Sequence, residues 1–159
     1  MLRTGVGIDT HRFAAGRPLI LGGIEIPHAV GLAGHSDADV LTHAVIDALL
    51  GAAALGDIGQ HFPDTDPRFA GADSLELLRT VVADLGERGF AIGNIDATVV
   101  LERPKLAPYR DAIRASLAGG LGLPENAVNV KATTGERMGF VGRGEGAAAM
   151  AVATIADRT

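Results

Sequence analysis

In the stretch Ile95-Asp96-Ala97-Thr98-Val99-Val100-Leu101, the residues Ile95, Ala97, Val99 and Leu101 alternate with Asp96, Thr98 and Val100. That period of two marks a strand with one face in a core and the other outside it. Moving outward, the extended run reaches back to Phe90. Beyond its far end, Pro104 and Pro108 break it and open a helix over 109–121, which Gly119, Gly120 and Gly122 bring to a close. Before it, 74–88 reads as a helix capped by Asp73 and stopped by Gly89, with Leu75, Leu78, Val82 and Leu85 facing inward. A stronger helix covers 36–54. Ser36 with Asp39 fits a capping box there, and Val40, Leu41, Ala44, Val45, Ala48, Leu49 and Ala52 recur at helical spacing. At the start, 2–9 is a strand, 10–18 a loop, and 19–21 and 24–26 short extended pieces; 128–132 is a further strand. The segment 147–155 stays open, because its alanines favour a helix while its β-branched residues suit a buried strand. This order of elements predicts an α+β fold, a mixed β-sheet with helices packed on one face.

A length of 159 residues without repeat, linker or charge run predicts one domain spanning 1–159. The absence of cysteine excludes a disulfide framework, a thiolate zinc site and a cysteine nucleophile, leaving histidines and carboxylates as metal ligands. Fourteen Lys and Arg against nineteen Asp and Glu give a net charge of −5, which argues against sequence-independent nucleic-acid binding. The longest apolar stretches, 48–56 and 146–156, are about half the ~20 residues a membrane-spanning helix needs. The opening residues lack the pattern of a secretory signal, so no membrane partner is expected and the cytoplasm is the expected compartment. The 22 glycines are about twice average usage, so backbone must approach something closely, in enzymes often phosphate.

Asp9 and His11 sit one residue apart at a strand end, which sends both side chains out on the same face. His43 lies within a helix, in line with Asp39 and Asp47 at i, i+4, i+8, a stripe able to aim it at that strand end. One carboxylate and two imidazoles make a three-donor site with a fourth position open to substrate, the catalytic form of a zinc centre. The competing interpretation is a turn-forming Asp and a histidine satisfied by its neighbours. Asp47 is either a partner that orients His43 or a solvated helix carboxylate. His35 and Ser36 stand where the helix amides begin, so Ser36 is a cap, part of an anion site, or both. Asp57-Ile58-Gly59 and Phe62-Pro63-Asp64-Thr65-Asp66 form a loop dense in acceptors. Thr133-Thr134-Gly135-Glu136 offers hydroxyls, amides and a carboxylate suited to a diphosphate with a divalent cation, or else an ordinary hydroxyl turn. Arg143 pairs either with a phosphate or with Glu145, and Lys105 is either a ligand or a surface cation. His28 and His61 have no partner at a telling spacing.

Taken together, Gly5-Val6-Gly7-Ile8-Asp9-Thr10-His11-Arg12-Phe13, His35-Ser36-Asp37-Ala38-Asp39-Val40, His43, the 56–59 and 62–66 loops, and Val130-Lys131-Ala132-Thr133-Thr134 with Glu136 resemble the 2-C-methyl-D-erythritol 2,4-cyclodiphosphate synthase family over nearly the whole chain. The resemblance implies a single-activity enzyme of the non-mevalonate isoprenoid pathway, without the nucleotidyltransferase domain of fused relatives. The implied reaction is intramolecular phosphoryl transfer: the 2-phosphate of 4-diphosphocytidyl-2-C-methylerythritol 2-phosphate attacks its own diphosphate and expels CMP. It further implies Zn2+ on Asp9, His11 and His43, and Mg2+ or Mn2+ near Glu136. His35 and Thr134 would stabilise the transition state. Substrate contacts would come from Asp9, Thr10, His11, His35, Ser36, Asp57, Ile58, Gly59 and 62–66, and from Thr133 to Glu136. Leu101, Glu102, Arg103, Pro104, Lys105, Leu106 and Ala107 would frame the cytosine. Homotrimers with sites between subunits are implied, as is a cavity on the threefold axis where Phe140, Arg143 and Glu145 meet an isoprenoid diphosphate. Two rivals remain on the residues alone: a zinc-dependent phosphohydrolase that activates water on the same triad, and a non-catalytic metal or nucleotide binding module.

Overall fold

The computed structural model describes residues 1–158. In chain order the elements are β1 (Leu2–Ala14), β2 (Leu19–Leu21), β3 (Ile24–Ile26), β4 (Gly31–Leu32), α1 (Val40–Ala53), α2 (Ile58–His61), α3 (Ser74–Glu87), β5 (Phe90–Val100), α4 (Arg110–Leu121), β6 (Val128–Thr133), α5 (Gly139–Gly142) and β7 (Gly146–Asp157). Five strands form a mixed sheet in the order β4-β1-β7-β5-β6, with β5 and β6 parallel and the other pairs antiparallel; β2 and β3 make a separate hairpin. Helices α1, α3 and α4 cover one face, as the alternation in β5 predicts. Among the described residues no helix is long and apolar enough to cross a membrane.

The segment left open resolves as a strand. In β7 Ala147, Ala149, Ala151 and Ala153 are buried, while Met150 and Val152 point out the other way. Small residues line this inner face because α1 lies directly on it. The same closeness accounts for two glycines of β1: a Cβ on Gly7 would stand 1.9 Å from the Ala44 carbonyl oxygen, and one on Gly5 2.1 Å from that of Ala48. Here the approaching partner is helix backbone, where composition pointed to phosphate.

Strand β1 runs past the expected end at Asp9, since its pairing with β7 continues to Arg12 opposite Gly146. Asp9 and His11 are therefore inside a strand, on the face of Gly5 and Gly7 and one step beyond them. Helix α1 starts at Val40, four residues later than its expected start at Ser36. Ala38 is left-handed (φ 57°), which no helix continues through, and the cap is Asp39. Fully buried, Asp39 accepts the Thr42 amide and hydroxyl and the Gly22 and Gly23 amides, tying the β2–β3 turn to the head of α1. Helix α3 is capped by Asp73 as expected, and it buries Leu77 and Val81 alongside Leu78 and Leu85, while Leu75 and Val82 stay half-buried.

Candidate metal centre

Where the head of α1 passes over β1, three donor atoms converge. Asp9 Oδ2 lies 2.8 Å from His11 Nε2 and 3.1 Å from His43 Nδ1, and the two ring nitrogens are 3.2 Å apart. Each ring has its other nitrogen occupied elsewhere. His11 Nδ1 donates to the Ala33 carbonyl at 2.8 Å, and His43 Nε2 faces the hydroxyls of Ser74 at 2.8 Å and Ser36 at 3.1 Å. With those protons assigned, both imidazoles turn lone pairs toward the Asp9 carboxylate. Three lone pairs aimed at one point repel unless a cation or proton stands between them, and a tetrahedral ion with bonds of about 2.0–2.1 Å sets its donors roughly 3.3 Å apart. The donor set fits a zinc-like ion in both chemistry and spacing, and these residues form a candidate metal cluster. Where protons take the place of an ion, burial pushes the Asp9 carboxyl up, but hydrogen bonds and charge from the protonated imidazoles outweigh it and hold the group at about 2. Burial pushes the His11 imidazole down, yet the hydrogen bond and charge of Asp9 win and raise it. Proton and metal compete for the same lone pair.

The triad floors a cavity of about 420 Å³ walled by His35, Ser36, Ile58, Gly59, Phe62 and Asp64. Arg17 holds the 31–36 segment in place by donating to the carbonyls of Leu32 (2.8 Å) and Ser36 (2.7 Å). His35 Nε2 is 3.2 Å from the Asp66 carbonyl. Asp57 caps α2 through the Gln60 amide, and Phe62 packs edge-on against Phe69. Pro63, Thr65 and Asp66 are not among the residues that line the cavity; Asp66 is occupied by the Arg68 amide and guanidinium. Thr10, between Asp9 and His11, belongs to the opposite face and lines another cavity with Phe140 and Glu145.

A separate cavity of about 220 Å³ collects Leu101, Glu102, Pro104, Lys105, Leu106 and Ala107 together with Thr133 and Thr134. It shares no lining residue with the first. Arg103 faces a further cavity with Arg143 and His28. Glu102 accepts the Gly135 amide at 2.9 Å, and Thr134 Oγ1 is 3.2 Å from Glu136 Oε1 and 3.3 Å from the Glu136 amide, the hydroxyl turn of the bland interpretation. Arg143 is bound to Glu145 at 2.7 Å. Asp47 does not orient His43: its Oδ1 accepts the Ile58 amide at 2.7 Å and so pins α2 to α1. The contacts of Ser74 and Asp37 behind His43 carry no spacing signal, because they join segments 31 and 37 residues apart.

Fold and triad together define an α+β domain with a candidate three-donor metal site at a solvent-open cleft. The chain belongs to the YgbB family, whose model matches residues 2–156. It is 62% identical over 154 residues to the 2-C-methyl-D-erythritol 2,4-cyclodiphosphate synthase of Salinibacter ruber, covering 97% of this chain and 98% of that one. A CDP-bound structure of a synthase of that name superposes with a TM-score of 0.89 at 40% identity, covering 97% of this chain and all of the other. The bifunctional IspDF of Campylobacter jejuni superposes at 0.94 with 46% identity; 98% of this chain is covered, and it spans 42% of that longer one.

Proposed function

We propose that this chain converts 4-diphosphocytidyl-2-C-methyl-D-erythritol 2-phosphate into 2-C-methyl-D-erythritol 2,4-cyclodiphosphate and CMP, in the cytoplasm, as a step of non-mevalonate isoprenoid synthesis. An oxygen of the 2-phosphate bonds to the β-phosphorus, the bond from that phosphorus to the bridging oxygen breaks, and CMP leaves with the electron pair. Attacker and target share one molecule, so the protein has to fold the substrate and offset crowded charge. The observation that carries this is the convergence of Asp9, His11 and His43 on one point of a cleft, in a chain 62% identical to a synthase of that name. Zn2+ held by that triad, and Mg2+ or Mn2+ held with help from the Glu136 carboxylate, supply Lewis acidity toward phosphate oxygens. His35 and Thr134 donate hydrogen bonds where charge builds on the transferring phosphoryl group. Ser36 and the 57–59 and 62–66 loops hold the erythritol phosphate end, and residues 101–107 with Thr133 hold the cytidine.

Within one chain those two groups line different cavities, so a working site takes its halves from neighbouring subunits of a homotrimer. The outer face of the sheet supports that assembly: Val6 is 58% and Ile8 60% exposed, and across the ladder they face Val152 and Met150. An apolar strip of this kind marks a protein contact. Phe140 and Arg143 border the axis, where an isoprenoid diphosphate fits.

Phosphorus NMR of the product with Zn2+ and Mg2+ present tests the reaction. A cyclic diphosphate with stoichiometric CMP is expected; a linear phosphate product would instead reveal a phosphohydrolase, and no CMP release a binding module. His43→Ala is expected to lose both zinc and ring closure while light scattering still reports three chains.

A further inference from the structure

We propose that Asp37 and Ser74 form a positioning relay that locks the His43 imidazole as its Nε2–H tautomer and so aims the Nδ1 lone pair at the metal. This rests on Asp9, His11 and His43 being the zinc ligands.

Ser74 is the first residue of α3 and is fully buried, yet its hydroxyl does nothing for its own helix, which Asp73 caps through the Leu75 amide. The hydroxyl instead bridges two other segments. Its oxygen lies 2.8 Å from His43 Nε2, and its proton goes to Asp37 Oδ1, while Asp37 Oδ2 accepts the Ser74 amide at 3.0 Å. Backbone pairing holds the two segments together: the Asp37 amide donates to the Ala72 carbonyl and the Gly71 amide to the His35 carbonyl.

The direction of every bond follows from the end of the chain. A carboxylate only accepts, so the Ser74 proton is committed to Asp37. The Ser74 oxygen is then left to accept, and the group that meets it is His43 Nε2, which must carry hydrogen. The remaining lone pair of that ring is on Nδ1, which stands 3.1 Å from Asp9 Oδ2. Ser36 Oγ, itself fed by the Ala38 amide at 3.2 Å, stands as a second acceptor beside the same N–H. His11 reaches the complementary state more simply, through the Ala33 carbonyl. Partners of this kind fix tautomer and orientation, and losing one costs about 10–100-fold in metal affinity.

The test measures zinc affinity of the full chain by competition with a chromogenic chelator for Ser74→Ala, Asp37→Asn, the double variant and His43→Ala. Long-range proton–nitrogen NMR reports the His43 tautomer. Ser74→Ala is expected to weaken zinc roughly 10–100-fold and to mix the tautomers. Asp37→Asn, which keeps an accepting oxygen, is expected to weaken it less, with the double variant no worse than Ser74→Ala alone. Additive losses, unchanged affinity with only a lower melting temperature, or an unchanged tautomer would each overturn the relay. If Ser74→Ala does not fold, Asp37→Asn decides by the same two readouts. Zinc retained by His43→Ala would instead overturn the metal assignment beneath it.

Discussion

Asp39 shows how much of the site hangs on one side chain that never touches it. All four of its partners are donors, so an amide in its place turns an NH2 group against N–H and O–H groups in a buried pocket. Asp39→Asn is expected to cost about 2 kcal/mol, a fall of roughly 4–8 °C in melting temperature for a domain of this size, measurable by calorimetry. Sequence spacing picks out Asp39 in the acidic stripe of α1, and it picks out Asp9, His11 and His43 as candidate metal donors, which the fold does bring together. It leaves the role of Asp47 open, because i, i+4 spacing reports a shared helix face and not what lies across from it. Ser74 and Arg17 escape entirely, since their partners are brought close only by the tertiary fold.

At the level of elements, α1 and β1 behave as one body because glycine and alanine let their backbones nearly touch. Gly7→Ala would set a methyl 1.9 Å from a helix carbonyl that cannot swing aside. The expected outcome is a loss of about 3 kcal/mol or more in chemical denaturation, with weaker zinc binding because the displaced helix carries His43. Most elements were legible from periodicity, including β5, α3 and α4. The late start of α1 was not, since Ser36 looks like a cap until Ala38 turns left-handed in front of it. For β7 the alternation was present but masked, because every inward residue from 147 to 153 is the helix-favouring alanine, its smallness set by the helix above.

For the whole molecule, the exposed strip on β1 and β7 lies on the other face of the sheet from the triad, so the proposed assembly and the proposed metal binding can be tested apart. Ile8→Lys puts a charge in the middle of it, with Met150 opposite. Light scattering is expected to show single chains, with turnover down roughly tenfold or more (at least ~1.4 kcal/mol), while zinc affinity stays near wild type because all three donors belong to one chain. No pattern along the chain discloses this strip, which is visible only once both strands lie side by side.

The glycine and alanine paving beneath α1 also bears on how the proposed ion would be acquired. Its contacts owe nothing to a cation, so the chain is expected to fold without an ion and to bind one afterwards. Chelation should therefore lower the unfolding free energy only by the mass-action share, about 2.7 kcal/mol at a hundredfold excess over Kd, and leave the far-ultraviolet circular dichroism of the chain unaltered.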